Sequence, residues 1–149
     1  MVKYNLQNDT DVLLAEAHDL FMRTDYETVL SHTTKLLNLD PFSPSILTLH
    51  ISCLYELKEE NKLFLLAHQL VDSHPEEAIP WFAVGTFYLL TKKHHEARRY
   101  FSKASSINPL LGCAWIGFGH SFALEDESDQ AIFAYSSACK IIKGYTRLL

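Results

Sequence analysis

Pro41, Pro75 and Pro109 recur at intervals of 34 residues. Trp81 and Trp115 keep the same interval, as do Gly85 and Gly119, and Ala97 and Ala131. A fixed period of this length constrains a chain more than any composition can. It implies supersecondary units of one kind, each too small to bury its own apolar face and each stacking on the next. Glycine and proline are scarce, five each in 149 residues, and proline never falls inside a long helical pattern. Each period therefore holds helices, with proline closing the second of them and setting the turn into the next unit.

The clearest unit reads Trp81, Val84, Gly85, Tyr88, Ala97, Phe101, Ala104, Pro109. This is the tetratricopeptide (TPR) pattern of 34 residues. The next reads Trp115, Phe118, Gly119, Phe122, Ala131, Tyr135, Ala138 and ends at Lys143-Gly144 instead of proline. Two weaker units precede them, one with Leu47, Ile51, Leu54, Leu63, Ala67, Leu70 and Pro75, the other with Leu13, Ala17, Leu20, Val29, Leu36 and Pro41. The expected fold is all-α: a TPR α-solenoid of about four helix-turn-helix repeats, over roughly residues 10–43, 44–77, 78–111 and 112–145 of a single array. In each repeat helix A precedes helix B. Gly85 and Gly119 sit mid-helix, where glycine costs about 1 kcal/mol against alanine, a cost that close approach of helix B can offset. Ala97 and Ala131 are the small residues expected to face them. Asp25 and Asp129 fall where a carboxylate suits a helix start.

The same frame places His94-His95-Glu96-Ala97-Arg98-Arg99, which otherwise invites a metal reading. It is the first turn of a B helix. Adjacent histidines project about 100° apart on a helix, and a chelating pair needs a spacing of three or four residues. Those positions hold arginines that face solvent or a neighbour. Gly117-Phe118-Gly119-His120-Ser121 superficially resembles a nucleophile elbow, but no strand precedes it. The acidic run Glu125-Asp126-Glu127 with Asp129 is a turn between helices and lacks a second ligand set for calcium. No catalytic, metal-binding or cofactor-binding residue is assigned, and an enzyme is not expected.

The net charge of −5 gives no basic stripe for nucleic acid. Apolar runs are too short to span a bilayer, and no positively charged start leads into an apolar core, so neither a membrane span nor a secretory leader is expected. Three widely spaced cysteines, Cys53, Cys113 and Cys139, fit reduced thiols in the nucleus or cytoplasm.

Binding is expected on the wall lined by the A helices. The candidate groove residues are Leu14, His18, Phe21, Leu49, Ser52, Tyr55, Phe82, Thr86, Leu89, Ile116 and His120. The wall is apolar and nearly uncharged. It lacks the lysines, arginines and asparagines with which co-chaperone TPR domains clamp an acidic tail. It suits an amphipathic helix or an extended segment with apolar anchors, and tight winding would turn some of these residues into core.

Between the repeat positions lie more specific stretches: WFAVGTFYLL at 81–90, EARRYFSKASSINP at 96–109 and AWIGFGHSFALEDESDQAIFAY at 114–135, with LDPF at 39–42 and LFLLAHQLVDSHP at 63–75. Over about residues 10–144 these resemble a TPR subunit of the anaphase-promoting complex, of the cell-division-cycle-sixteen or sixth-subunit type. The resemblance implies a non-catalytic scaffold in a ubiquitin ligase of mitosis, found in nucleus and cytoplasm. It implies partners too: other TPR subunits, a small helical accessory subunit held inside the superhelix, and a second copy in a homodimer. A generic TPR adaptor for an unrelated hydrophobic peptide or helix is the alternative. Members of the family carry more repeats, so the chain is expected to be a fragment or reduced form. An apolar end around Tyr135, Ile141, Ile142 and Leu148 is expected to drive self-association.

Overall fold

The computed structural model describes residues 16–17 and 19–148, with side chains as far as Ile141. Among the described residues every regular element is a helix. Helix α1 is described at residues 16, 17 and 19–22. Then follow α2 (Tyr26–Leu39), α3 (Pro44–Glu56), α4 (Glu60–Ser73), α5 (Ala78–Leu90), α6 (His94–Ile107), α7 (Gly112–Ala123) and α8 (Ser128–Leu148). The B helices α2, α4, α6 and α8 start at 26, 60, 94 and 128, and the A helices α3, α5 and α7 at 44, 78 and 112. Both series keep the 34-residue period. This is the TPR α-solenoid.

Each A helix stops in the same way. Thr24, Lys58, Lys92 and Asp126 have φ of 64°, 58°, 65° and 62°, again one period apart. At each site the following residue bonds back five positions: Asp25 N–H to Leu20 O, Glu59 to Leu54, Lys93 to Tyr88 and Glu127 to Phe122. The left-handed residue itself bonds back three, as Lys92 N–H does to Leu89 O. This is the double bond of a Schellman cap, which satisfies carbonyls the helix end leaves open. Glycine is the usual residue there, and this chain uses none, so the positions carry no compositional signal.

Two compact units divide the chain, residues 1–59 and 60–149. In the first, α2 packs on α3. Its core is Ala17, Val29, Leu49 and Cys53, with Leu20, Phe21, Tyr26 and Leu30 closing around it. Thr33, fully buried on α2, shares a 2.8 Å hydrogen bond with His50 Nδ1 on α3. Asp25 caps α2 without a side-chain bond to the backbone; its carboxylate instead accepts from the Thr28 hydroxyl at 3.0 Å.

In the second unit each helix packs on the next, and α5 also meets α7. The close approach at Gly85 is made by the ring of Phe101 on α6. A Cβ at Gly85 would lie 2.8 Å from that ring. The far edge of the same ring lies against Gly117 on α7, where a Cβ would come within 2.6 Å. Phe101 is thus wedged between two glycines of successive A helices and is 1% exposed. Ala97, the small residue expected to face the glycine, is fully buried one turn earlier on α6. Gly119 repeats the device with Tyr135 at 2.7 Å. Trp81 and Trp115 each donate from Nε1 to a carbonyl six residues earlier, Pro75 at 2.9 Å and Pro109 at 3.2 Å. The repeat-closing prolines thereby hold the first turn of the following A helix.

Tyr135 departs from the expected exposed apolar end. Its ring fills the space beside Gly119, and its hydroxyl bonds His120 Nδ1 at 2.7 Å. The exposed apolar side chains on α8 are Ile132 and Phe133, at 62% and 67%. The side chains of Ile142 and Leu148 lie outside the described set.

Candidate functional site

The candidate groove residues project from the A helices at spacings of three and four, which aligns them along one face. In the first unit, Leu14 and His18 fall outside the described residues. Phe21 is half-buried and meets Tyr26 edge-on, with centroids 5.2 Å apart. Leu49 is 5% exposed and belongs to the core. Ser52 is half-buried and donates to Thr48 O at 2.8 Å. Tyr55 is half-buried too, and burial, with the Glu56 charge second, pushes its phenol above the usual range.

In the second unit, Phe82, Thr86 and Leu89 are 4–5% exposed. Phe82 packs on Phe101 with centroids 6.0 Å apart, and the Thr86 hydroxyl donates to Phe82 O at 2.8 Å. Ile116 is half-buried, while His120 is exposed and held by Tyr135. Side chains this deep offer a partner little surface without rearrangement. The accessible members are therefore Phe21, Ser52 and Tyr55 in one unit and Ile116 and His120 in the other. All are neutral or apolar apart from His120.

Residues first met as possible chemistry have structural duties. Arg98 crosses from α6 to the turn before α8: its guanidinium pairs with Glu125 at 2.7 Å and lies 4.8 Å from the Phe122 ring centroid. His94 Nδ1 stands 3.6 Å from the other oxygen of Glu125. Ser121, within the glycine-rich stretch, is fully buried on α7 and donates to Phe118 O at 2.6 Å. Among the described residues, no group of three or more His, Cys, Asp or Glu could hold a metal ion. Nor is any described helix long and apolar enough to cross a membrane.

Gly117, one residue past the groove candidate Ile116, lies against the Phe101 ring. The signal available was that two glycines two residues apart on one helix cannot both serve the same neighbour.

No family model matches the chain. It is 50% identical over 139 residues to the anaphase-promoting complex subunit cut9 of Schizosaccharomyces pombe, covering 93% of this chain and 21% of that protein. It is 43% identical over 140 residues to the human cell division cycle protein 16 homolog, covering 93% and 23% respectively. Among solved structures it superposes on the APC/C hetero-tetramer Cut9–Hcn1 with a TM-score of 0.86 and 51% identity, over 90% of this chain and 26% of that one. The chain spans about a fifth of the length of the curated relatives it matches.

Proposed function

We propose that this chain, which over nearly all its length is similar to CDC16-type subunits of the anaphase-promoting complex, is a non-catalytic TPR scaffold in that ubiquitin ligase and acts in mitotic progression. The observation that carries the reading is joint likeness in sequence and fold. Half of the matched residues agree with cut9, and the backbone follows Cut9 in its complex with Hcn1. TPR proteins in general would share the fold without the identity between repeat positions.

The work such a chain does is positional. Its helices hold one another through fixed aromatic wedges, and its accessible A-helix residues supply a neutral, partly apolar surface. An amphipathic helix or extended segment with apolar anchors is the occupant that surface fits. The partners are other TPR subunits and a small helical accessory subunit, with a second copy of the chain as homodimer. The place of work is nucleus and cytoplasm. The structural relative is a hetero-tetramer of Cut9 and Hcn1, which supports assembly with a different subunit.

Affinity capture with the tagged chain from extract of its own source tests this. The expected result is retention of anaphase-promoting subunits, reduced by Ile116→Glu with helical content unchanged. Retention of unrelated proteins alone would sink the scaffold reading and leave a generic TPR adaptor. Phe82→Glu is the wrong probe, because a buried carboxylate beside Phe101 tests folding rather than binding.

A further inference from the structure

The second unit carries a small aromatic cavity that the groove reading does not use. It has a volume of about 210 Å³ and is walled by Phe64 and Val71 of α4, Trp81, Val84 and Tyr88 of α5, and Tyr100 of α6. At 100° per residue, Trp81, Val84 and Tyr88 occupy a different side of α5 from Phe82, Thr86 and Leu89. The cavity and the A-helix groove are thus separate surfaces.

Its walls are rigid. The Trp81 and Tyr100 rings are stacked with centroids 5.9 Å apart and planes at 1°, and Tyr100 stacks on Tyr88 at 5.4 Å and 12°. The Trp81 indole is further fixed by its bond to Pro75 O. Phe64 closes the opposite side against Phe87 at 5.4 Å, yet stays 50% exposed. Such a preorganised site loses little entropy when filled. Its volume is below that of pockets for drug-sized ligands, and it matches one anchoring side chain.

The charges choose the partner. Lys103 Nζ lies 3.6 Å from the Trp81 ring centroid, and Lys93 Nζ 6.0 Å from that of Tyr88. Arg99 and Lys103, one turn apart and exposed, flank Tyr100 on the α6 side. On the α4 side His68, which also lines the cavity and stacks on Phe64 at 6.0 Å, stands 3.5 Å from Asp72, so a carboxylate lies at that end. Glu96 stands close enough to help raise the Tyr88 phenol, after burial and Tyr100, so the Lys93 end is partly neutralised. The positive potential is greatest at the Lys103 end. A cationic ligand is disfavoured there, because Lys103 already covers the indole face and repels like charge.

We infer that this cavity is a second docking site, which takes a peptide segment presenting one aromatic or aliphatic anchor with carboxylates beside it. The anchor enters between Phe64 and the Trp81–Tyr100 stack, and the flanking carboxylates meet Lys103 and Arg99. Attraction at the rim governs encounter and salt dependence, while the anchor governs residence.

Panning a randomised linear peptide library against the folded chain tests the inference, with the indole N–H signals of Trp81 and Trp115 as internal reporters. Enrichment of sequences pairing one large apolar residue with Asp or Glu is expected. Their binding should shift the Trp81 signal and spare Trp115, and Lys103→Glu, an exposed change, should weaken it about ten-fold with the helical content unchanged. Enrichment without carboxylates, a shift at Trp115 alone, indifference to Lys103→Glu, or no enrichment would each overturn the inference. Because the readout is local to Trp81, it stands or falls apart from the scaffold proposal.

Discussion

Phe101 shows how one side chain sets the spacing of three helices. Its ring occupies the room that two missing Cβ atoms leave, at Gly85 on one side and Gly117 on the other. A ring with close contacts to two backbones has little room to swing aside, so added volume there becomes strain. Gly85→Leu should therefore lower the midpoint of thermal unfolding strongly, by an amount equivalent to about 1–3 kcal/mol or more. Gly117→Ala should cost less, because alanine's better helix propensity returns about 1 kcal/mol. Phe101→Leu should destabilise the parent yet soften the Gly117→Ala penalty, a coupling that a double-mutant cycle by denaturant melts would register. An additive cycle would show that the wedge is not under load. Half of this device was legible in the sequence: Gly85 announces a close approach by sitting mid-helix. The intruder was not legible, since the period marks Phe101 only as a repeat position and says nothing of which A helix it enters. Cys53 offers a second residue-scale test. Fully buried, its thiol is pushed up to about 12, by desolvation first and the Glu56 charge second. Unfolded, it titrates near the ordinary thiol value, so between there and 12 the unfolded state binds fewer protons. Stability must then fall as pH rises through that window. In the native protein at pH 8, iodoacetamide should label exposed Cys139 first and reach Cys53 only on unfolding, which peptide mapping by mass spectrometry would follow. Early labelling of Cys53 would contradict its burial.

At the scale of the element, the turns between helices A and B are where sequence reading and structure part. The prolines and the helix-forming stretches between them predict helices where helices stand. The caps are invisible, because Thr24, Lys58, Lys92 and Asp126 are three residue types, none of them glycine, that share only a backbone conformation. Each pays the steric penalty of a Cβ in the left-handed region, about 1–2 kcal/mol. Lys92→Gly removes that penalty but enlarges the freedom of the unfolded chain, leaving a net gain of about 0.5 kcal/mol. Lys92→Val should move stability the other way, since a β-branched residue tolerates that conformation least. Paired thermal melts of the two variants check the sign; the same direction for both would mean that the cap is not what limits this turn. Arg98 makes a related point about the candidate site. Its partner Glu125 lies 27 residues away, a separation that no local pattern announces, and only the stacking of one repeat on the next brings the pair together.

For the whole molecule, the period carries one surface position through the second unit. Phe64, Arg98 and Ile132 occupy one repeat position on α4, α6 and α8. Arg98 has 15% of its side chain exposed because Phe122 and Glu125, on the next A helix and the turn after it, lie over it. Ile132 is 62% exposed and Phe133 beside it 67%. At Arg98 the position is covered by the A helix that follows and its aromatic residue, Phe122. Ile132 and Phe133 are the exposed large apolar pair at which the proposed homodimer can be tested. The sequence expectation put this contact around Tyr135, whose ring instead packs beside Gly119; Ile132 lies only three residues away on the same helix, and period alone does not tell the two faces apart. Light scattering across a concentration series should show a mass that rises with concentration for the parent chain, and Ile132→Glu with Phe133→Glu should hold it at that of one chain. Both residues are exposed, so the double variant should fold as the parent does and its melting temperature at low concentration should be unchanged. A parent mass independent of concentration would remove the self-association, and an association that persists in the double variant would move the interface off this face of α8.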